Sequence, residues 1–112
     1  MSQITTHVLD TSQGKPAAGI AISLYRHILD GWDVIAKGIT NADGRISDLL
    51  IKEVTLPTGM YKMQFETAAY FAATQTKTFY PVVEIILDIA TTEHYHVPLL
   101  LNPFGYTTYR GS

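Results

Sequence analysis

Within Met60–Thr67 the chain alternates strictly from Tyr61 to Glu66: Tyr61, Met63 and Phe65 are apolar, and Lys62, Gln64 and Glu66 are polar. Successive side chains leave a strand on opposite sides, so this period of two marks a strand with one buried and one wet face. Similar short runs recur along the chain, each closed by turn residues, at the spacing of an all-β sandwich or barrel. Eight strands are expected, at about Ile4–Asp10, Ile20–His27, Trp32–Thr40, Arg45–Ser47, Met60–Thr67, Val82–Ala90, His94–Leu101 and Phe104–Ser112. Thr11–Gly19 reads as a loop, and Asp30-Gly31, Asn41–Gly44, Leu56–Gly59 and Asn102-Pro103 read as turns. Only Ala68–Gln75, rich in alanine and free of Gly and Pro, reads as helical, with two turns at most.

With 112 residues, one domain over 1–112 is the expectation, large enough to bury a real core. Apolar residues make up 46%, too many for a disordered chain, yet the longest apolar run, Val82–Ala90, is broken by Glu84 and Asp88. That run is far short of the roughly 20 residues a membrane-spanning helix needs. Net charge is −2 and the cations are scattered, which argues against nucleic acid and against an anionic membrane surface as partners. The absence of cysteine excludes disulfides, thiolate catalysis and cysteine-based zinc sites. The stretch after Met1 has no basic segment followed by an apolar one, so a cytoplasmic protein is expected.

The run from His94 to Leu101 is apolar on both faces. Tyr95, Val97, Leu99 and Leu101 form one face, suited to the core, and His94, His96, Pro98 and Leu100 form the other. The next run adds Phe104, Tyr106 and Tyr109 with few charges. A second apolar face calls for a cover, most simply another copy of the chain. A strand continuing through Tyr109-Arg110-Gly111-Ser112 would order the tail and place Arg110, the Ser112 hydroxyl and the terminal carboxylate at a defined site.

Four histidines carry most of the chemical potential: His7, His27, His94 and His96. His94 and His96 share a face and could hold a metal with His7 as a third ligand, although a shared surface face explains the spacing as well. Taken alone, His7, His27, Arg26 and Arg45 read as ordinary structural or solvated residues. No paired carboxylates, nucleophile elbow or phosphate-cradling glycine loop occurs.

Three blocks together carry a more specific message: His7-Val8-Leu9-Asp10 with Gly14-Lys15-Pro16-Ala17, then Thr40–Arg45, then the long run from His94 to Ser112. In order and spacing they resemble the transthyretin-like proteins that hydrolyse 5-hydroxyisourate. Asn102 and Thr107, where relatives often carry serine, are mild departures. The resemblance implies an eight-stranded transthyretin-like (prealbumin-like) β-sandwich with one short helix, assembled as a homotetramer, a dimer of dimers with active sites where the dimers meet. It implies a catalytic set of His7, Arg45 and His96, and substrate binding by Tyr109, Arg110, Gly111 and Ser112. It implies no metal and no cofactor. The reaction implied is hydrolysis of 5-hydroxyisourate to 2-oxo-4-hydroxy-4-carboxy-5-ureidoimidazoline, with either His7 or His96 as base. The alternative is a transthyretin-like carrier of small aromatic ligands without catalysis.

Overall fold

A computed structural model of the chain describes residues 2–51 and 53–112; of the domain expected over 1–112, Met1 and Lys52 lie outside the described residues. The elements in chain order are β1 (Ile4–Asp10), β2 (Lys15–Pro16), β3 (Ala21–Ile28), β4 (Gly31–Ile39), β5 (Arg45–Ile46), β6 (Gly59–Phe65), α1 (Thr67–Ala72), β7 (Val83–Ile89), β8 (Tyr95–Asn102) and β9 (Gly105–Thr108). One sheet runs β2-β1-β8-β9, with β5 pairing along the same strand β1, and the other runs β4-β3-β6-β7. The result is the expected all-β sandwich with one short helix.

The alternation seen in the sequence decides which side chains face inward. Tyr61, Met63 and Phe65 of β6 are fully buried, as are Ile22 and Leu24 of β3 and Leu99 and Leu101 of β8. Ile4 and Val8 of β1, at no exposure, lie in the same sheet as Leu99 and Leu101 and face the β3 and β6 side chains of the other sheet. Removal of such side chains from water is the main favourable contribution to folding. The helix attaches through Phe71, which is 1% exposed, and through Tyr70, whose hydroxyl donates to Asp10 Oδ2 at 2.7 Å. Asp10 is fully buried, and its other oxygen accepts from Ser12 N and Ser12 Oγ. A buried carboxylate with its acceptor positions filled avoids the cost of an unpaired charge.

Among the described residues nine strands form where eight are expected, and most strand ends differ from expectation by a residue or two; three differences have a clear local reason. Lys15–Pro16 pairs with Asp10 and Leu9 instead of remaining loop, because Gly14, at φ 66°, turns the chain back onto β1. Proline is tolerated there because the strand lies at a sheet edge. The helix covers Thr67–Ala72 rather than extending to Gln75. Gln75, at φ 54°, ends it: its N–H donates to Ala72 O, and the Thr76 N–H reaches back to Phe71 O. That pair of bonds is a Schellman closure. The strand expected over Arg45–Ser47 stops at Ile46.

The last strand was expected to run to Ser112, but regular pairing ends at Thr108. Leu99 pairs with Thr108 and His96 with Gly111, so the register of the β8–β9 ladder is conserved across the gap. Pro98 with Tyr109 and Val97 with Arg110 would pair between them, and Pro98 has no N–H to give. Pro98 O accepts from Thr108 Oγ1 at 2.7 Å instead, and the ladder resumes where Gly111 N donates to His96 O at 2.8 Å.

Candidate active site

The outer face of the five-stranded sheet assembles most of the residues singled out in the sequence. Along β1, Ile4, Thr6, Val8 and Asp10 point into the core, so Thr5 and His7 point out. His7 pairs with Arg45 on one side and with Pro98 on the other. One step along, Thr5 pairs with His96, and His96 pairs with Gly111. Directly paired side chains lie about 4.5–5.5 Å apart at Cβ. The register therefore sets an Arg45–His7 row beside a Thr5–His96–Gly111 row.

A tight turn holds Arg45 in place. Asn41 Oδ1 accepts from Asp43 N at 2.9 Å and Arg45 N at 3.1 Å, while Gly44 N donates to Asn41 O. Gly44 has φ 74°, and its carbonyl accepts from Val8 N at 2.7 Å, which fastens the turn to β1. The guanidinium is thus delivered by β5 to the same face as the two histidines.

Thr5 Oγ1 lies 2.8 Å from His96 Nδ1 and 2.9 Å from His94 Nε2. The two rings are nearly parallel, with centroids 6.4 Å apart and planes 20° apart. The contact commits Nδ1 of His96 to Thr5 and leaves Nε2 as the nitrogen available to a ligand. A cleft of about 360 Å³ opens here, lined by Thr5, Arg45, Ser47, His94, His96 and Ser112.

Gly111 is required at its position by this packing. A Cβ there would come within 2.7 Å of His96 Cδ2 and 3.2 Å of Pro98 Cγ. Pro98, expected to need a second copy of the chain as its cover, is buried within this chain beside that tail residue. Tyr109 and Arg110 line a second cleft, of about 330 Å³, between the edges of β7 and β9. The Arg110 guanidinium pairs with Glu93 and lies 4.5 Å over the Tyr95 ring. Of the four tail residues, Ser112 lines the Arg45–His96 cleft and Gly111 packs against the His96 ring, while Tyr109 and Arg110 face the neighbouring cleft. His96 borders both clefts.

Partial burial, then the Arg45 charge, then His94 and His7 push the His96 imidazole below its ordinary value of 6.5. Burial and Arg45 lower His7 in the same way, against an upward pull from Asp43. Both rings are therefore neutral at neutral pH, able to accept a proton beside a permanent cation. In an NMR titration His96 will show a midpoint below 6.5, and Arg45→Gln will move it upward; a midpoint at or above 6.5 would contradict this electrostatic account. The sign for stability follows. A histidine lowered in the folded state favours the unfolded chain once protonated, so this contribution is lost as pH falls below 6.5.

Thr5 and His94 belong to the site, and sequence reasoning had left Thr5 out and considered His94 only for metal. The available signal was parity: Thr5 lies two residues before His7 on one strand face, and His94 two before His96. Among the described residues, no group of three or more His, Cys, Asp or Glu side chains is arranged to hold a metal ion. His27 lies elsewhere, packed edge-on against Trp32 on the other sheet.

Residues 4–111 match the HIUase/Transthyretin family. A probable 5-hydroxyisourate hydrolase of Schizosaccharomyces pombe is 43% identical over 112 residues, covering 97% of this chain and 90% of that protein. The structure of Klebsiella pneumoniae 5-hydroxyisourate hydrolase superposes with a TM-score of 0.85 at 38% identity, over 97% of this chain and 92% of that one. Sea bream transthyretin, in a crystal structure with thyroxine, superposes with a TM-score of 0.91 at 34% identity, over 98% and 95%. Since the family match spans nearly the whole chain and the fold and register agree with it, this chain belongs to the HIUase/Transthyretin family.

Proposed function

We propose that this protein hydrolyses 5-hydroxyisourate to 2-oxo-4-hydroxy-4-carboxy-5-ureidoimidazoline, with His7, Arg45 and His96 as the catalytic set. The observation that carries the residue assignment is the register of His7 against Arg45, one row from His96, in a chain similar to proteins named as this hydrolase. A neutral imidazole accepts a proton from water as its oxygen adds to the ring carbonyl. Arg45, always charged and rich in donors, stabilises the oxyanion that forms. Collapse of that adduct breaks the ring C–N bond, and the departing nitrogen takes a proton from an imidazolium, so the catalyst is restored. His96 presents Nε2 for this step, and His7, beside Arg45, orients the substrate or exchanges the second proton. The cyclic ureide is reactive enough that the reading needs no metal or cofactor.

Ser112 contributes a hydroxyl to substrate or water, and Gly111 lets the tail lie against the imidazole. Tyr109 and Arg110 support binding from the adjoining cleft, where the Glu93 pair holds the tail down. A homotetramer, a dimer of dimers, completes the sites where dimers meet. The support for assembly is that β7 and β9 each pair on one side only, and that Ile86 is 58% and Phe104 69% exposed. Unpaired edges and exposed apolar groups both favour association. One domain over 1–112, acting in the cytoplasm, completes the reading; no helix among the described residues is long and apolar enough to cross a membrane.

The test is a coupled ultraviolet assay in which urate oxidase generates 5-hydroxyisourate in the cuvette. Decay well above the spontaneous rate, unaffected by chelator, is the expected result. Decay at the spontaneous rate with folded protein would reject the hydrolase and leave the carrier of small aromatic ligands.

A further inference from the structure

The Thr5 hydroxyl has one proton and two lone pairs, and it stands between two ring nitrogens at 2.9 and 2.8 Å. It can donate to only one of them, so a ring nitrogen that donates to it must carry a proton while the acceptor ring must not. The threonine is nearly out of contact with water, 8% exposed, and its branched side chain has few rotamers to choose from. The neighbouring Thr6 hydroxyl, by contrast, donates to the backbone at Val97 O. Thr5 is thus dedicated to linking two imidazoles that lie 6.4 Å apart.

Resting on the hydrolase reading above, we propose that His96, Thr5 and His94 form a proton relay: His96 takes the water proton at Nε2 while its Nδ1 proton passes through the Thr5 hydroxyl to His94 Nε2. The balance closes. A water O–H bond breaks as the Nε2–H bond forms on His96. The Nδ1–H bond breaks as a Thr5 O–H bond forms, and the original Thr5 O–H bond breaks as an N–H bond forms on His94. The net positive charge ends on His94, and the reverse sequence returns the proton to the departing ring nitrogen.

Electrostatics favours that direction. The groups facing His96 are Arg45, His7 and His94, and the permanent Arg45 charge opposes an imidazolium on His96. His94 is exposed to solvent, where water screens a positive charge. The relay therefore moves charge away from Arg45 and outward, leaving the arginine free to serve the oxyanion. Thr5 and His94 act through His96 and are positioning residues. The arrangement also requires one tautomer: the resting His96 carries its proton on Nδ1, which keeps Nε2 basic.

Nitrogen NMR of histidine-labelled protein, combined with the coupled assay, tests the relay. Wild type should show His96 protonated at Nδ1 and unprotonated at Nε2. Thr5→Val should shift the proton to Nε2, the form free histidine prefers, and lower kcat by about tenfold or more with KM changed by less than about twofold. Thr5→Ser should restore kcat to within about threefold, since it returns the hydroxyl. His94→Leu should match Thr5→Val, and the double variant should lose little more, as expected for groups acting as one unit. Wild-type kcat in Thr5→Val or in His94→Leu, or a resting His96 protonated at Nε2, would overturn the relay while leaving the hydrolase standing. A wild-type protein that does not accelerate decay would reject the hydrolase, and the relay's role in it.

Discussion

Replacing His96 with alanine will slow 5-hydroxyisourate turnover by about 10²–10⁴-fold, the range for removing a positioned acid–base group. The fold should survive, because the side chain stands on the outer face of the sheet and the β8 core residues Leu99 and Leu101 are untouched. His96 borders both clefts and faces Arg45, so no neighbour can replace its Nε2 without moving the strand. His7→Ala and Arg45→Ala should fall with it, though through different parameters. Loss of the guanidinium removes transition-state charge stabilisation, lowering kcat and kcat/KM together. Loss of His7 removes the proton-handling partner. The measurement is initial rate against substrate for each variant, with circular dichroism as the check on folding. Undiminished kcat in a folded His96→Ala protein would remove the residue from the mechanism.

Gly44→Ala will damage both stability and activity, although glycine carries no functional group. A Cβ at this position would sit 2.3 Å from the Val8 carbonyl oxygen, far inside van der Waals contact. The backbone is also held at φ 74°, a conformation costing a residue with a side chain roughly 1–3 kcal/mol. Relief requires the Asn41–Arg45 turn to lift away from β1, breaking the Val8 N to Gly44 O bond and carrying Arg45 from His7. The expected result is a loss of roughly 2–4 kcal/mol in urea unfolding, the sum of strain and a broken buried hydrogen bond. Turnover should drop even at temperatures where the variant is folded. A variant with wild-type midpoint and rate would show that the turn can relax without moving Arg45, and would weaken the claim that β5 must be fastened to β1.

Much of the sandwich was legible because alternation is a local property. Tyr61, Met63 and Phe65 announced the buried face of β6, and Tyr95, Val97, Leu99 and Leu101 that of β8, before any partner strand was known. Where the reading slipped, the cause lay in pairing. Lys15–Pro16 became a strand only because β1 offered an edge, and the tail lost its regular ladder only because Pro98 lies opposite Tyr109. Neither residue announces this alone, since the lost or gained hydrogen bond belongs to two segments.

The site divides in the same way. The sequence by itself determined the inventory: histidines at alternating positions, an arginine after a tight glycine turn, and a tail ending in Gly111-Ser112. It also carried the family resemblance, because that is a property of residue order. What only the tertiary structure decided is adjacency. The parallel pairing of β1 with β8 puts Thr5 beside His96 across 91 positions of chain, and the antiparallel pairing of β1 with β5 puts Arg45 beside His7. The strain at Gly44, the separation of Arg110 from Ser112 and the Thr5 bridge between two imidazoles all follow from that register. Side-chain period is encoded locally, one residue to the next. Register is chosen by hydrogen bonds and packing between distant strands, and a chemical site is made of neighbours in space.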